Sequence, residues 1–537
     1  MAPCVIFEDE HLLAVNKPAG WNTHAPSPYA GEGVYEWLRH REPRWATLAI
    51  LHRLDKETSG ILIFGKTPVA NRSLTEQFTQ RQVHKKYRLL TDRPGEAIPA
   101  DGLTVKTALL RIGEKYASRP GGEAAETRFT KTRSAKGKSG AGQVVLAEPF
   151  TGRTHQIRVH AAESGFPILG DTLYGGTPAA RVFLQAAEIS FRHPATGAPV
   201  TFSVPDDFAA DARQALRTAV IEPAATDAFR VLHGASDGWP GWYVERLGDY
   251  LLSQAERPLT VLQNEELARL AKVYSARGAY HKTLSRQVRR SSVAEVCPQP
   301  VLGEAAPERF AIRENGVRYE LSFAEGYSVG LFLDQRDNRR RLLTGHVADG
   351  FDLPAAGGAE PPELLNVFAY TCGFSVAGAQ AGMRTTSLDL SKKYLEWGRR
   401  NLALNGLDPA AHDFIYGDAF DWLRRLAKKG RRFDVLVLDP PTFSQSKENG
   451  VFRADKDYGR LVTAALPLVK PGGVLLCSTN AADWAPEDFL ADVQAAARSA
   501  GRTVKPPHYV PQPPDFPVSR GEPAYLKTVW LKIAGKI

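Results

Sequence analysis

The sequence predicts a multidomain chain. An N-terminal α+β domain with a mixed, largely antiparallel sheet is followed by a small α+β middle domain and a C-terminal α/β domain with a mainly parallel sheet. Length is the first reason: 537 residues exceed what one hydrophobic core organises, since cores stop growing at roughly 250–300 residues. Periodicity is the second. Up to residue 205 short β-type runs alternate with Gly/Pro turns, whereas beyond 310 apolar runs alternate with helical stretches in the rhythm of βαβ units. The third is the Ala-rich stretch 206–226, ending Ile221-Glu222-Pro223-Ala224-Ala225-Thr226, which reads as the main boundary. Domains of 1–222, 226–308 and 309–537 are expected.

Composition narrows the class. The 68 basic and 59 acidic residues leave a net charge of +9, a mild lean toward a polyanionic partner. Cys4, Cys297, Cys372 and Cys477 are scattered without a Cys-x-x-Cys pair, which argues against a disulfide framework or zinc site and fits a reducing compartment. Met1 runs into Val5-Ile6-Phe7-Glu8-Asp9-Glu10 without a basic segment and apolar core, and no apolar stretch is long enough to span a bilayer. A cytoplasmic chain with no membrane partner and no metal is expected.

In the N-terminal part, Leu12-Leu13-Ala14-Val15-Asn16 reads as a strand before the turn Lys17-Pro18-Ala19-Gly20, and Ile61-Leu62-Ile63-Phe64 as a strand after Gly60. Ser73 to Arg81 reads as a helix. The basic, Gly/Ser-rich stretch 131–142 reads as a loop, either a solvated hairpin tip or a contact for an RNA backbone. Gly152 through His160 alternates large polar and apolar residues, which predicts a strand. Asp55 lies in His52-Arg53-Leu54-Asp55-Lys56-Glu57-Thr58-Ser59-Gly60, a turn at a strand edge. An Asp in such a turn commonly caps backbone amides.

Taken in order, the strings 17–20, 52–60, Lys85-Lys86-Tyr87-Arg88, 152–160 and Pro167-Ile168-Leu169-Gly170-Asp171 with Tyr174-Gly175 resemble the motifs of RluA-type pseudouridine synthases over residues 4–205. The resemblance implies that fold and isomerisation of uridine in RNA, a reaction that breaks an N-glycosidic bond and makes a C-glycosidic one. It makes Asp55 the reactive carboxylate, either a nucleophile or a base and electrostatic stabiliser in a glycal route. Arg158 is expected to pair with Asp55 and keep it ionised. Tyr87 is expected to stack on uracil and move a proton. His52 and Arg53 are expected to hold the opened strand from which the target is extruded. No cofactor is implied for this reaction.

Phe229-Arg230-Val231-Leu232 opens a strand-rich block in which Ser236 to Val244 turns between two strands. Trp239, Trp242 and Tyr243 are assigned to that block's core rather than to base stacking. The basic stretch Tyr280 to Arg290 reads as an RNA path or a solvated face.

Further on, 364–368, 385–390, 435–438 and 474–477 read as strands, and 391–404 and 456–468 as helices. Glu363 to Phe374 is a strand, turn and helix start, where a ligand would meet backbone amides. Gly373 is the only glycine there, so the string also fits a plain βα unit. Asp389 closes the next strand, suited to ribose hydroxyls, and Asp418 follows another, suited to an adenine edge. In Asp439-Pro440-Pro441-Thr442-Phe443 two prolines fix the turn. Asp439 and the Pro440 carbonyl can accept from amino or imino hydrogens of a base, and Phe443 can stack on it.

With Gly326 to Arg336, Asn366 to Thr371 and Asp439 to Lys447, residues 227–535 resemble the S-adenosylmethionine-dependent large-subunit rRNA methyltransferases of the RlmI and RlmK type. The resemblance implies a Rossmann-like methyltransferase. S-adenosylmethionine contacts are implied at Phe332, Asp334, Arg336, Asn366, Phe368, Tyr370, Thr371, Gly373, Asp389, Leu390, Asp418, Ala419 and Asp439. Asp439 is also implied in catalysis, and Pro440, Pro441, Phe443 and Asn480 in holding the base. Methylating cytosine at C5 needs a cysteine that adds to C6. Asn480 occupies that cysteine's place, and Cys477 lies three residues earlier within a strand. That departure favours guanine N7, whose lone pair needs no covalent intermediate. Exocyclic N-methylation of guanine or adenine, 5-methylcytosine formation and DNA base methylation are the competing readings. The chain is thus expected to be bifunctional, acting on RNA, rRNA first and tRNA second. The alternative is one working head with the other as an RNA-binding module.

Overall fold

The computed structural model describes residues 2–93, 98–132, 142–284, 297–326, 328–355, 357–358, 360–446 and 450–534. Residues 133–141 of the basic loop, 285–290 of the second basic stretch, Tyr327 and Lys447 lie outside the described residues. The chain forms two compact units, one of Met1–Ala25, Gly33–Trp37 and Thr47–Glu222, the other of Pro26–Glu32, Leu38–Ala46 and Pro223–Ile537.

The first unit is built on an eleven-stranded sheet. Within it Ser59–Gly65 is buried along its whole length. It pairs antiparallel with Leu12–Lys17 and parallel with Leu184–Arg192, the one parallel pairing in this sheet among the described residues. Gly60 makes that pairing possible. It sits at φ +113°, and a Cβ there would come within 2.2 Å of the Ala186 carbonyl oxygen. Leu184–Arg192 then pairs with His84–Thr91, which pairs with Gln143–Pro149. Helix Pro68–Thr79, capped by the Thr67 hydroxyl accepting from the Ala70 amide, buries Ala70 and Leu74 against Leu12, Ile61, Ile63 and Phe191. The strand expected over 152–160 is not formed: after a turn, Gln156–Glu163 is an α-helix, and Gln156 through Ala161 are all buried.

In the second unit a five-stranded sheet runs in chain order from Ala228–His233 to Gln299–Gly303. Trp242 is wholly buried in it and donates from Nε1 to the Ser253 hydroxyl at 2.8 Å; Trp239 packs edge-on against Trp242. A seven-stranded sheet follows. Its order is Asp413–Tyr416, Arg384–Asp389, Glu363–Val367, Phe433–Leu438, Val469–Thr479, Lys527–Lys532, His508–Val510. The first five are parallel, Lys527–Lys532 runs antiparallel to them, and His508–Val510 runs antiparallel to Lys527–Lys532. Side chains alternate between two cores: Leu365, Leu436 and Leu475 face one, Leu364, Val435 and Leu476 the other. Both faces are therefore apolar, as a covered parallel sheet requires. Strand order reverses at Glu363–Val367, so a crevice opens beyond the carboxyl ends of the central strands. Helices Lys392–Leu404 and Ala454–Ala465 stand where the sequence places them.

Candidate active sites

In the first unit, Asp55 ends a clamped turn. The Thr23 hydroxyl donates to the Leu54 carbonyl at 2.8 Å and accepts from its amide at 3.1 Å. Lys17 is buried, and its ammonium donates to the carbonyls of Pro18, Trp21 and Lys56 at 3.0, 2.7 and 3.2 Å, tying the 17–21 turn to the residue after Asp55. Burial pushes that ammonium down to about 7, against the pull of Asp55 and Glu57.

A small recess brings Asp55, Tyr87 and Arg158 together, with Lys85, His155 and Gln156. Burial, with Asp55 nearby, pushes the Tyr87 hydroxyl well up, so it stays protonated. Arg158 differs from its expected pairing. Its Nε and Nη2 donate to the two oxygens of buried Asp171, both at 2.7 Å, while Nη1 lies 3.9 Å from Asp55 and 3.8 Å from Glu57. The planar guanidinium spends its fork on Asp171 and offers Asp55 only its outer edge. His52 also departs from expectation. Its Nε2 accepts from the Ile63 amide at 3.1 Å, its ring packs on Phe78, and burial with Lys85 pushes it down to about 3. His52 is therefore a neutral structural brace rather than a cation for a phosphate. Arg53 is exposed and outside the recess.

In the second unit, a cavity of about 550 Å³ lies at the carboxyl ends of the parallel strands. Phe332, Asp334, Phe368, Tyr370, Thr371, Gly373, Asp389, Leu390, Ala419, Asp439, Pro440, Pro441 and Asn480 line it. Four expected residues do not. Arg336 is buried in a two-pronged pair with Asp515 at 2.8 and 2.6 Å. The Asn366 amide donates to the Ser375 hydroxyl inside the core. Asp418 caps helix Ala419–Lys428 by accepting from the Asp421 amide, and borders a smaller neighbouring recess. Phe443 stands 43% exposed on a hairpin strand, Phe443–Ser446.

Asp389 accepts from the amides of Tyr370 and Ser391, both at 2.8 Å. Burial raises it to about 6 against those bonds, so it is largely ionised at neutral pH with further lone pairs for ligand hydroxyls. The turn it holds is unusual: Phe368, Tyr370 and Cys372 have φ of 61°, 47° and 66°. Burial, then the charge of Asp334, raises Asp439 to about 7.

Asp439 is held from behind. Gln335 Nε2 donates to its Oδ1 at 3.2 Å and to the Ser478 hydroxyl at 2.7 Å. Asn338 Nδ2 donates to Gln335 Oε1 at 2.7 Å, and Trp530 Nε1 donates to Asn338 Oδ1 at 3.0 Å. The indole N–H has one polarity, so this chain fixes which end of the Gln335 amide faces Asp439. Tyr525 donates to Asp334 at 3.1 Å. The Tyr458 hydroxyl sits between the carbonyls of Leu438 and Ser478 at 3.0 and 2.9 Å, fastening the strand ends on either side of the site. Sequence reasoning missed Gln335, Asn338 and Tyr458 as supports; only Gln335 lay in a quoted motif.

The cavity suits S-adenosylmethionine. Asp334, Asp389 and Asp439 offer acceptors to its ammonium and hydroxyls, and Phe368, Leu388, Leu390 and Ala419 give an apolar bed for its purine. Cys477 is outside the cavity, buried in Val469–Thr479 between Leu438 and Val529, and burial pushes its thiol well up.

Comparison with known proteins agrees. Residues 11–163 match the RNA pseudouridylate synthase model, and residues 250–531 the S-adenosylmethionine-dependent methyltransferase model. A ribosomal RNA large subunit methyltransferase of Deinococcus radiodurans is 33% identical over 335 residues, covering 60% of this chain and 78% of that protein. A ribosomal RNA large subunit methyltransferase I of Klebsiella pneumoniae is 32% identical over 319 residues, 58% and 76% of the two chains. A solved putative S-adenosylmethionine-dependent methyltransferase from Streptococcus mutans is 26% identical with a TM-score of 0.50, covering 64% of this chain and 87% of that one. A putative methyltransferase solved with SAH is 25% identical with a TM-score of 0.51, covering 70% and 98%. The methyltransferase model spans over half of the sequence, and the chain belongs to the S-adenosylmethionine-dependent methyltransferase family, with an RNA pseudouridylate synthase domain in its N-terminal part.

Proposed function

We propose that this chain is a two-headed RNA-modifying enzyme that isomerises uridine to pseudouridine and methylates guanine at N7 in large-subunit rRNA. We divide it into an isomerase at 1–222, a small domain at 226–308 and a methyltransferase at 309–537. The observation that carries the reading is that each unit has its own lined recess with its own carboxylate, Asp55 in one and Asp439 in the other.

In the isomerase, Asp55 acts on the ribose as the N1–C1′ bond breaks, steadied by the outer edge of Arg158. Protonated Tyr87 closes on the freed uracil, and Lys85 adds positive potential at the recess wall. In the methyltransferase, the bound cofactor supplies an electrophilic methyl group on a sulfonium. Ionised Asp439 and the Pro440 carbonyl accept from N1–H and the 2-amino group of guanine, and the rigid Pro-Pro turn keeps N7 in line. Orientation then does most of the work, since N7 needs no base.

The Klebsiella pneumoniae relative is a large subunit methyltransferase I, and 5-methylcytosine formation is the second reading. Against it stands Cys477, sealed within its strand. A cytoplasmic site of action fits either reading; no helix among the described residues is long and apolar enough to cross a membrane. Nucleoside mass spectrometry of rRNA and tRNA from a strain lacking this gene tests the assignment. Loss of one pseudouridine and one 7-methylguanosine is expected. Loss of 5-methylcytidine instead overturns the choice of base, and loss of pseudouridine alone leaves the second unit as a binding module.

A further inference from the structure

We propose that His155 is a positioning residue of the isomerase reaction: Tyr174 fixes it as the Nε2–H tautomer, so that a neutral N–H donor is aimed at Asp55. The inference rests on the pseudouridine synthase reading of this recess.

One donor on the Tyr174 oxygen has no choice of direction, and Asp55 on the far side of the ring favours one tautomer. The Tyr116 amide donates to the Tyr174 hydroxyl oxygen at 2.9 Å. Tyr174 Oη lies 2.8 Å from His155 Nδ1. With the amide already on one side of that oxygen, the phenolic hydrogen is free to point at Nδ1, which then accepts and leaves the ring proton on Nε2. Nε2 lies 3.9 Å from Asp55 Oδ2. The other tautomer would aim a bare lone pair at a carboxylate.

The ring has little freedom. His155 sits at φ 56° in the left-handed region, where a non-glycine residue costs about 1 kcal/mol or more. Its carbonyl accepts from the Val159 amide at 2.9 Å, locking it to the first turn of helix Gln156–Glu163. Tyr116 and Tyr174 flank the ring edge-on at 5.5 and 5.6 Å, and the Arg158 guanidinium lies over Tyr174 at 5.2 Å. The charged groups facing His155 are Asp55, Arg158, Glu57 and Asp171, and burial holds the imidazole below its ordinary range.

The separation suits the chemistry. At 3.9 Å the N–H stabilises the Asp55 charge without occupying a lone pair. The carboxylate is left free to act while N1–C1′ breaks and C5–C1′ forms. The C5 proton is then released and N1 gains one, so no oxidant or co-reactant is needed. Protonated His155 would instead pair with Asp55 and quench it, and the Tyr174 hydrogen bond opposes that.

Two measurements on the full chain test the proposal. In ¹⁵N-histidine spectra the His155 signal, identified by its loss in H155Q, is expected to show protonated Nε2 and bare Nδ1; an Nδ1–H tautomer overturns the proposal. Isomerisation is followed by tritium release from [5-³H]uridine-labelled RNA extracted from a strain lacking this gene. His155→Phe is expected to lower kcat about 100-fold with KM within about threefold. His155→Gln, which keeps an N–H at similar reach, should recover to within about tenfold of the parent, and Y174F should move the acid limb of the kcat profile to higher pH. Equal losses in H155F and H155Q with an unmoved acid limb in Y174F would mean a packing role and overturn the proposal. A parent protein that releases no tritium overturns the isomerase reading itself, and the nitrogen spectra still judge the tautomer.

Discussion

Replacing Gln335 by Leu removes the amide that donates to Asp439 at 3.2 Å and to Ser478 at 2.7 Å. A hydrogen bond to a charged group contributes roughly 1.5–3 kcal/mol, and the long distance places this one at the lower end. Since ~1.4 kcal/mol is one pKa unit, Asp439 should rise by about one unit from its position near about 7. The sign follows from the proposed role: if the ionised carboxylate grips the base, activity rises with pH through the Asp439 midpoint. At pH 7 roughly half of the parent's Asp439 is ionised, against about one tenth in the variant. Methyl transfer should therefore fall about fivefold at pH 7 and recover by about pH 9. The assay is kcat/KM for transfer of labelled methyl from S-adenosylmethionine to rRNA from a strain lacking the gene, followed from about pH 6 to about pH 9, because kcat/KM reports the free enzyme. A loss of equal size at every pH, or a midpoint that does not move, would refute the reasoning.

Asp389→Ala removes the acceptor of the Tyr370 and Ser391 amides and, in the proposed site, of ligand hydroxyls; titration calorimetry should show S-adenosylmethionine binding weakened by about 10–100-fold, about 1.4–2.8 kcal/mol. Asp55→Asn should abolish pseudouridine formation and spare methylation, and Asp439→Ala the reverse, read by nucleoside mass spectrometry of the same RNA; one substitution removing both products would show that the heads are not independent. Cys477→Ala should leave methyl transfer within about threefold of the parent, whereas a loss beyond ~100-fold with intact thermal stability would restore covalent cytosine chemistry.

The parallel sheet was legible because strands covered on both faces are continuous apolar runs, as Val435-Leu436-Val437-Leu438 is. The Gln156-Ile157-Arg158-Val159-His160 segment misled because its polar and apolar residues alternate over a short stretch, which mimics a half-buried strand. It is a helix buried on nearly all sides, so no amphipathic period exists to be read. Its polar residues are buried because partners distant in sequence satisfy them: Gln156 donates to Thr127 and the Glu126 carbonyl, and Arg158 to Asp171. Motif strings located Asp55, Tyr87, Asp389 and Asp439 on their recesses, but not what holds them. In the Trp530–Asn338–Gln335 chain the Trp530–Asn338 bond joins residues 192 apart in sequence, and no local pattern encodes such a contact. Arg336 and Asn366 show the converse: polar residues inside a motif can serve the core beneath the site rather than the site.

The turn through Phe368, Tyr370 and Cys372 has a thermodynamic corollary. Three bulky left-handed residues together cost about 3–6 kcal/mol relative to relaxed backbone. The arrangement persists because Asp389 takes the Tyr370 amide, Asn401 donates to the Thr371 carbonyl at 3.0 Å, and the Thr371 hydroxyl donates to the Gly330 carbonyl. That conformational penalty falls on folding, not on ligand capture. The incoming cofactor meets a rim that is already shaped, so its affinity is not reduced by the entropy of ordering a loop. Stability and affinity therefore pull in opposite directions at Tyr370: glycine there would ease the backbone while returning to the ligand an ordering cost that the folded protein now carries.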